Sequence, residues 1–206
     1  VNNDTIYDDI KFFPPGYYFK NNTFYKYWSL KIIGKKNIDL EKLNFLLNDA
    51  VRIRRRMDVK FGSFLSGGLD STIITTILKP EHTWTVGFAK MNEFVWSTLA
   101  NKKIKSKHHK ILINQNEFKI LAKKMIKKRC EPLSVPNEVL IYKMSKHAKK
   151  YVKVLLSGEG ADELFYGYDR IFSWANTSKK FSYNKFDHFY SYGSKKDDEV
   201  IDYAFQ

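Results

Sequence analysis

The sequence is poor in cysteine and has no long apolar run, and each of these absences excludes a class of protein. Its 206 residues include one cysteine, Cys130, so no disulfide can form within the chain and a reducing, cytoplasmic setting is expected. No stretch of about 18 apolar residues is present, so no membrane-spanning helix is predicted. The first nine residues are polar and acidic and do not resemble a signal peptide.

Acidic residues are also scarce, since 22 Asp and Glu stand against 36 Lys and Arg and give a net charge of +14. Such a charge suits polyanionic partners, and basic residues cluster at 52–56 and 123–129. Only six of the basic residues are arginine, however, and lysine is the weaker residue for bidentate contacts to phosphate or guanine. We therefore interpret the clusters as solvated faces of helices and expect no nucleic-acid partner, with a nucleic-acid-binding module as the alternative.

Apolar segments of strand length alternate with helical patterns along the chain, which at 43% hydrophobic content can bury a sizeable core. The predicted strands are residues 59–65, 82–88, 108–113 and 152–156, and the predicted helices are a core-facing helix capped by Asp39 and residues 71–78, 92–103, 116–128 (capped by Asn116) and 137–150. This alternation predicts an α/β fold, a parallel sheet with helices on both faces. Two aromatic segments, 17–19 and 24–28, predict a β-hairpin before it.

The first of two glycine loops follows the first predicted strand. Its residues are Phe64, Leu65, Ser66, Gly67, Gly68, Leu69, Asp70 and Ser71. Adjacent glycines allow positive φ and close approach of backbone N–H groups to an anion at a helix start. A carboxylate at Asp70 would repel phosphate directly, which indicates a bridging Mg²⁺. The alternative from the glycines alone is an ordinary tight turn.

The second glycine loop follows the last predicted strand and is rich in carboxylates. Its residues are Ser157, Gly158, Glu159, Gly160, Ala161, Asp162 and Glu163. Three carboxylates beside two glycines suit a cation or a proton transfer, although an acidic helix N-terminus is the alternative on composition alone. Because parallel strands end at one edge of a sheet, both loops can face one ligand.

These two strings carry a resemblance to a known family. The first resembles the pyrophosphate-binding loop of the N-type ATP pyrophosphatases, which cleave ATP to AMP and pyrophosphate. The second is similar to the Ser-Gly-Glu-Gly-x-Asp-Glu signature of the synthetase domain of glutamine-hydrolysing asparagine synthetases. The resemblance extends from the Pro14-Pro15-Gly16 segment to about Tyr168. It implies an adenine nucleotide alpha hydrolase-like fold and ATP with Mg²⁺ as cofactors.

The resemblance also implies roles for particular residues. Glu159 is expected to be catalytic, as the base or proton acceptor when ammonia attacks, and Asp70 and Asp162 are expected to bind Mg²⁺. The expected ATP-binding residues are Phe64, Leu65, Ser66, Gly67, Gly68, Asp70, Ser71, Val86, Ser157 and Gly158. The His108–His109 pair is common in the family, but we expect it to pack or lie at the surface. Glu93 and Asn92 receive no role.

The implied activity is an ATP-dependent ligase that adenylylates the β-carboxylate of aspartate and lets ammonia displace AMP to give asparagine. Alternatives are a related amidotransferase acting on another carboxylate, or an inactive nucleotide-binding or nucleic-acid-binding remnant. The implied partners are ATP, aspartate and ammonia, with a glutaminase domain on a preceding segment. Val135 stands where many relatives have Asp, which leaves recognition of the substrate open.

The expected domains are a linker with the hairpin (1–38), the ATP pyrophosphatase core (39–170) and the start of an incomplete helical lobe or tail (171–206). The family's catalytic lysine, which belongs to that lobe, has no match here. Two interpretations follow: a fragment of a longer enzyme, or a naturally reduced protein. The absence of an initiator methionine favours a fragment.

Overall fold

The chain folds into a hairpin and a four-stranded parallel sheet, as shown by a computed structural model that describes residues 5–29, 37–55, 58–165, 167–168, 173 and 176–177. The strands are β1 (Tyr17–Lys20), β2 (Thr23–Lys26), β3 (Phe61–Phe64), β4 (His82–Gly87), β5 (Lys107–Leu112) and β6 (Val154–Leu156). The helices are α1 (Leu40–Arg54), α2 (Leu69–Leu78), α3 (Phe94–Ile104), α4 (Gln115–Arg129), α5 (Asn137–Ala148) and α6 (Ala161–Phe165). The expected lobe or tail beyond residue 170 lies almost wholly outside the described residues.

The parallel sheet has the strand order β5-β4-β3-β6. From β3, the chain adds β4 and then β5 on one side of the sheet, connected by α2 and α3. It then passes through α4 and α5 and adds β6 on the other side of β3. Right-handed crossovers running in opposite directions put their helices on opposite faces. The predicted fold class is therefore confirmed. The strand order reverses between β3 and β6, and in open α/β sheets ligands bind beyond the strand ends at such a reversal.

The main core lies between β4, β5 and α5. It contains Trp84, Ile111, Met144, Ala148 and Val152, all buried. The indole Nε1 of Trp84 donates a hydrogen bond to Nδ1 of His147 on α5 at 3.0 Å, so the largest buried side chain has its polar atom satisfied. A Cβ on Gly62 would lie 2.4 Å from this indole ring, and β3 therefore needs glycine at that point.

Most predictions of individual helices and strands are confirmed, but two local predictions, the cap of α4 and the buried face of α1, are wrong. Helix α2 forms despite its β-branched residues. Asn114, rather than Asn116, caps α4: it leaves β5 with extended backbone, and its side chain accepts a hydrogen bond from the Glu117 N–H at 2.9 Å. The face predicted to bury α1 is only partly covered, since Leu40 is 72% exposed while Val51 is 6% exposed.

His108 is a structural histidine beneath α3, in agreement with the packing role expected for it. Its Nδ1 lies 2.9 Å from Thr83 Oγ1, and its Nε2 lies 3.2 Å from Ser97 Oγ. Both hydroxyl partners belong to fully buried residues. Burial, followed by the nearby charges of Lys110 and His109, lowers the pKa of His108 from 6.5 to about 4.

This shift predicts that acid destabilises the fold. Between about pH 6.5 and pH 4 the unfolded chain binds a proton at His108 that the folded chain does not, so the free energy of unfolding falls as pH falls. One full proton corresponds to about 1.4 kcal/mol per pH unit, and solvent screening of the partly exposed ring makes the effect smaller. Urea unfolding at several pH values should show a shallower acid slope in His108→Gln than in the unsubstituted chain; equal slopes would contradict the assignment.

Candidate functional site

A cavity of about 580 Å³ opens beyond the carboxyl ends of the parallel strands. Eleven of the twelve residues predicted for the site line it: Phe64, Leu65, Ser66, Gly68, Asp70, Ser71, Val86, Ser157, Gly158, Glu159 and Asp162. They come from three separate segments of sequence, which the reversal of strand order between β3 and β6 brings together. Gly67 is not among the residues that line the cavity.

Residues 65–68 of the first glycine loop are held in shape by two serine hydroxyls. Ser66 Oγ lies 2.8 Å from Ser71 Oγ and accepts a hydrogen bond from the Gly68 N–H at 3.1 Å. The Ser66 N–H donates to Ser71 Oγ at 3.2 Å. The loop is therefore tied to the first turn of α2, where helix N–H groups and the helix dipole favour an anion.

Gly67 performs a packing role on the side of the loop away from the cavity. Its φ is +93°, and a Cβ there would lie 2.4 Å from the carbonyl carbon of Trp96 and 2.5 Å from the backbone nitrogen of Ser97. Both the left-handed conformation and the close approach to α3 require glycine. The sequence alone identified the glycine but not the helix against which it packs.

Residues 157–160 of the second glycine loop lie directly against the first loop. A Cβ on Gly158 would be 3.1 Å from the backbone nitrogen of Ser71 and 3.2 Å from Cβ of Asp70. Gly160 has a φ of +89° and turns the chain into α6. The start of α2 and the loop after β6 therefore form one continuous surface, with Asp70 where they meet.

The carboxylates at this surface differ in environment. Asp70 and Asp162 are half-buried, whereas Glu159 is exposed. Glu163 accepts a hydrogen bond from the Tyr168 hydroxyl at 2.5 Å, and this bond lowers the pKa of the Glu163 carboxyl. Among the described residues that line the cavity, none is lysine or arginine.

Oxygen ligands of this kind fit Mg²⁺, which is bound in nucleotide sites by one or two carboxylates and by substrate phosphates. No group of three or more His, Cys, Asp or Glu side chains arranged to hold a metal occurs within the described part of the chain. Two half-buried carboxylates, Asp70 and Asp162, therefore fit a cation that is shared with a ligand, and do not form a complete protein cage.

The wall beside β4 is fixed by backbone pairing. The Leu65 N–H donates to the Trp84 carbonyl at 2.8 Å, and Thr85 Oγ1 donates to the Leu65 carbonyl. Beyond β4, the Asn92 side chain donates to the Phe88 carbonyl at 2.8 Å and closes the loop that carries Glu93. Asn92 and Glu93, which received no role, both line the cavity.

Helix α5 supplies a wall that sequence reasoning missed. Asn137, Leu140, Ile141 and Met144 line the cavity together with Trp84 of β4. The spacing of Leu140, Ile141 and Met144 predicts a helix with a buried face. It cannot distinguish a face that packs on the core from a face that lines a cavity. That distinction depends on α5 packing across β4, which the sequence does not specify.

Within the described residues, no helix is both long and apolar enough to span a bilayer. Comparison with solved structures found the ammonia-dependent NAD synthetase of Campylobacter jejuni, with 15% identity and a TM-score of 0.43 over 66% of this chain and 63% of that one.

Comparison with curated proteins found relatives with higher identity. A Methanocaldococcus jannaschii protein, provisionally named asparagine synthetase (glutamine-hydrolyzing) 2, is 38% identical over 70% of this chain. Asparagine synthetase (glutamine-hydrolyzing) 1 of Bacillus subtilis is 38% identical over 59%, and the human asparagine synthetase (glutamine-hydrolyzing) is 31% identical over 61%. The chain spans 30%, 20% and 25% of the lengths of these relatives, respectively.

The profile of the family described as Asparagine synthase matches residues 42–200. This match covers both glycine loops, all the helices and strands that form the cavity, and well over half of the sequence. The resemblance predicted from the two loops is therefore confirmed, and the chain belongs to the asparagine synthase family.

Proposed function

We propose that this chain is the synthetase part of an ATP-dependent amide-forming ligase that converts aspartate to asparagine. An oxygen of the β-carboxylate attacks the α-phosphorus of ATP, the bond to the β-phosphate breaks, and pyrophosphate leaves. Ammonia then attacks the acyl carbon, a C–N bond forms, and the bond to AMP breaks. Aspartate is proposed because the chain belongs to the asparagine synthase family.

One observation carries the proposal: two glycine loops, each after a parallel strand, line one cavity at the reversal of strand order. In this arrangement the first loop and the start of α2 present N–H groups and serine hydroxyls to the pyrophosphate end of ATP. Ser157 and Gly158 contact the nucleotide from the other side. Phe64, Leu65 and the backbone near Val86 line the adenosine.

Asp70 and Asp162 would hold Mg²⁺ together with phosphate oxygens, and the cation would offset the charge developing on pyrophosphate. The described lining of the cavity contains no lysine or arginine, so within it this compensation would come from the metal and from backbone N–H groups. Asp70 is suited to this role since it stands where the two loops meet.

Glu159 is proposed to accept the proton that ammonia loses on forming the amide. It is an exposed carboxylate between two glycines, so no neighbouring side chain prevents a reacting amine from approaching it. A positioned carboxylate typically contributes a factor of about 10²–10⁴ in such a proton transfer.

The relatives are named glutamine-hydrolyzing, and we propose that a glutaminase domain outside this sequence supplies the ammonia. Residues 1–38 would then be the linker to that domain, 39–170 the synthetase core, and 171–206 the start of a further lobe. The proposed location is the cytoplasm.

Pyrophosphate release tests the function directly. Incubation with Mg-ATP, aspartate and ammonium should release pyrophosphate from the unsubstituted chain, and Asp70→Asn should lose most of that release because a ligand of the bridging cation is removed. Asp49→Asn, an exposed carboxylate on α1, is the matched control and should behave as the parent. Release that is independent of aspartate, or equal in both variants, would contradict the proposal.

Asp162→Asn should weaken binding of Mg-ATP by at least about tenfold, since hydrogen bonds and contacts to charged groups contribute about 1.5–3 kcal/mol. Binding of ATP without Mg²⁺ should change much less. Calorimetric titration with and without Mg²⁺ separates the two effects. A parallel loss in both titrations would assign Asp162 to folding of the loop instead of the metal.

Glu159→Gln should bind Mg-ATP normally but form asparagine at least about 10²-fold more slowly. Glutamine keeps the shape of the side chain and removes its capacity to accept a proton. Asparagine formation and nucleotide binding are measured on the same preparation. An unchanged rate of amide formation would exclude Glu159 as the proton acceptor.

A further inference from the structure

The connection between α4 and α5, residues 130–136, is fastened by one carboxylate. Glu138 Oε1 accepts hydrogen bonds from the backbone N–H of Ser134 at 2.8 Å and of Val135 at 3.3 Å. Its Oε2 pairs with the guanidinium of Arg129, the last residue of α4. Glu138 thus joins the end of one helix, the connecting loop and the first turn of the next helix.

Helix α5 begins without a capping hydrogen bond from the side chain that precedes it. The residue before α5 is Pro136, whose side chain makes no capping hydrogen bond, and Val135 has no polar side chain. Glu138, the second residue of the helix, reaches back past Pro136 and accepts hydrogen bonds from loop N–H groups, so it fixes the connection to the helix and does not cap the helix itself.

The fastened helix start is also a wall of the candidate site. Asn137, the immediate neighbour of Glu138, lines the cavity, and Leu140 and Ile141 line it one turn later. The loop is braced from a second side, because the Tyr7 hydroxyl donates to the Cys130 carbonyl at 2.6 Å. A shift of the connection would therefore move the α5 wall while leaving both glycine loops in place.

Charge makes the arrangement compatible with an acidic ligand. Burial would by itself raise the pKa of Glu138, but the N–H groups of Ser134 and Val135 and the Arg129 guanidinium outweigh it, so the net pKa is lowered and the carboxylate stays ionised. Arg129 offsets this negative charge at the start of α5. Without Arg129, Glu138 would repel a carboxylate ligand approaching the same helix end.

We propose that Glu138 is a positioning residue for the acceptor substrate, aspartate, and that it acts by fixing the α5 wall against which the acceptor binds. The inference rests on the proposed function. The proposed nucleotide contacts all belong to the two glycine loops and to the end of β4, which leaves the α5 wall and the segment with Asn92 and Glu93. Since the Glu93 carboxylate would repel an acidic acceptor, the α5 wall is the favoured surface. Glu138 is outside the cavity lining and touches no ligand itself.

The test is calorimetric titration of aspartate into the chain saturated with Mg²⁺ and an ATP analogue bearing a methylene group between the α- and β-phosphorus atoms. We expect Glu138→Ala to weaken aspartate binding about tenfold or more and to change analogue binding by less than about twofold. Glu138→Gln, which keeps one acceptor oxygen, and Arg129→Lys, which keeps the charge, should give smaller losses. Glu131→Gln is the matched control, since Glu131 also approaches Arg129, at 3.6 Å, but accepts no backbone hydrogen bond from the loop.

Each alternative result decides a different point. Unchanged aspartate affinity in the Glu138 variants, or a loss equal to that of Glu131→Gln, overturns the positioning role. Equal losses for aspartate and analogue, accompanied by a lower urea midpoint, assign Glu138 to stability alone; if Glu138→Ala fails to fold, Glu138→Gln and Arg129→Lys provide the same comparison. An unsubstituted chain that binds the analogue but no aspartate also overturns the inference, whereas one that binds neither ligand overturns the proposed function itself.

Discussion

The parallel pairing of β3 with β6 is the constraint on which the candidate site depends. It aligns Ser63, the last residue but one of β3, with Leu156, the last residue of β6. The fully buried Ser63 hydroxyl lies 2.8 Å from Thr75 Oγ1 of α2 and 3.2 Å from the Leu156 carbonyl. A buried hydroxyl is costly without partners, so this one atom favours a single arrangement of both strands and the helix between the loops.

The net positive charge of the chain lies on its surface and not in the described lining of the cavity. The excess of 14 positive charges is carried largely by lysines, and those at positions 123, 124, 127 and 128 on α4 are exposed. The described cavity lining, by contrast, contains carboxylates and no basic side chain. In the proposed function, the described lining would recognise the nucleotide through oriented backbone dipoles and a cation brought with the ligand, which act at short range and are less screened by salt than surface lysines.

Sequence patterns predicted the parts of the site that depend on local chemistry. Glycines at 67, 68, 158 and 160, with Asp70 and Asp162 beside them, mark turns that few other residues can form, and the α2 helix followed from the need for an anion-binding helix start. The cap of α4 was misplaced because Asn114 and Asn116 are chemically equivalent and only the exit angle of β5 selects Asn114. The α5 wall and the Glu138 contact were not predictable, because both depend on how distant helices pack on the sheet.

The separation of the two glycine loops along the chain has a consequence for folding. Ser63 and the Leu156 carbonyl that it contacts are 93 residues apart, so the two halves of the cavity meet only when β6, a strand of three residues, joins the edge of the sheet. Contacts of such long range form late and slowly. A nucleotide that bridges both loops would therefore bind the completed sheet and not its precursors, and by mass action would stabilise the pairing of β6. In a cell, the ligand concentration would then help to set how much of the chain is fully folded.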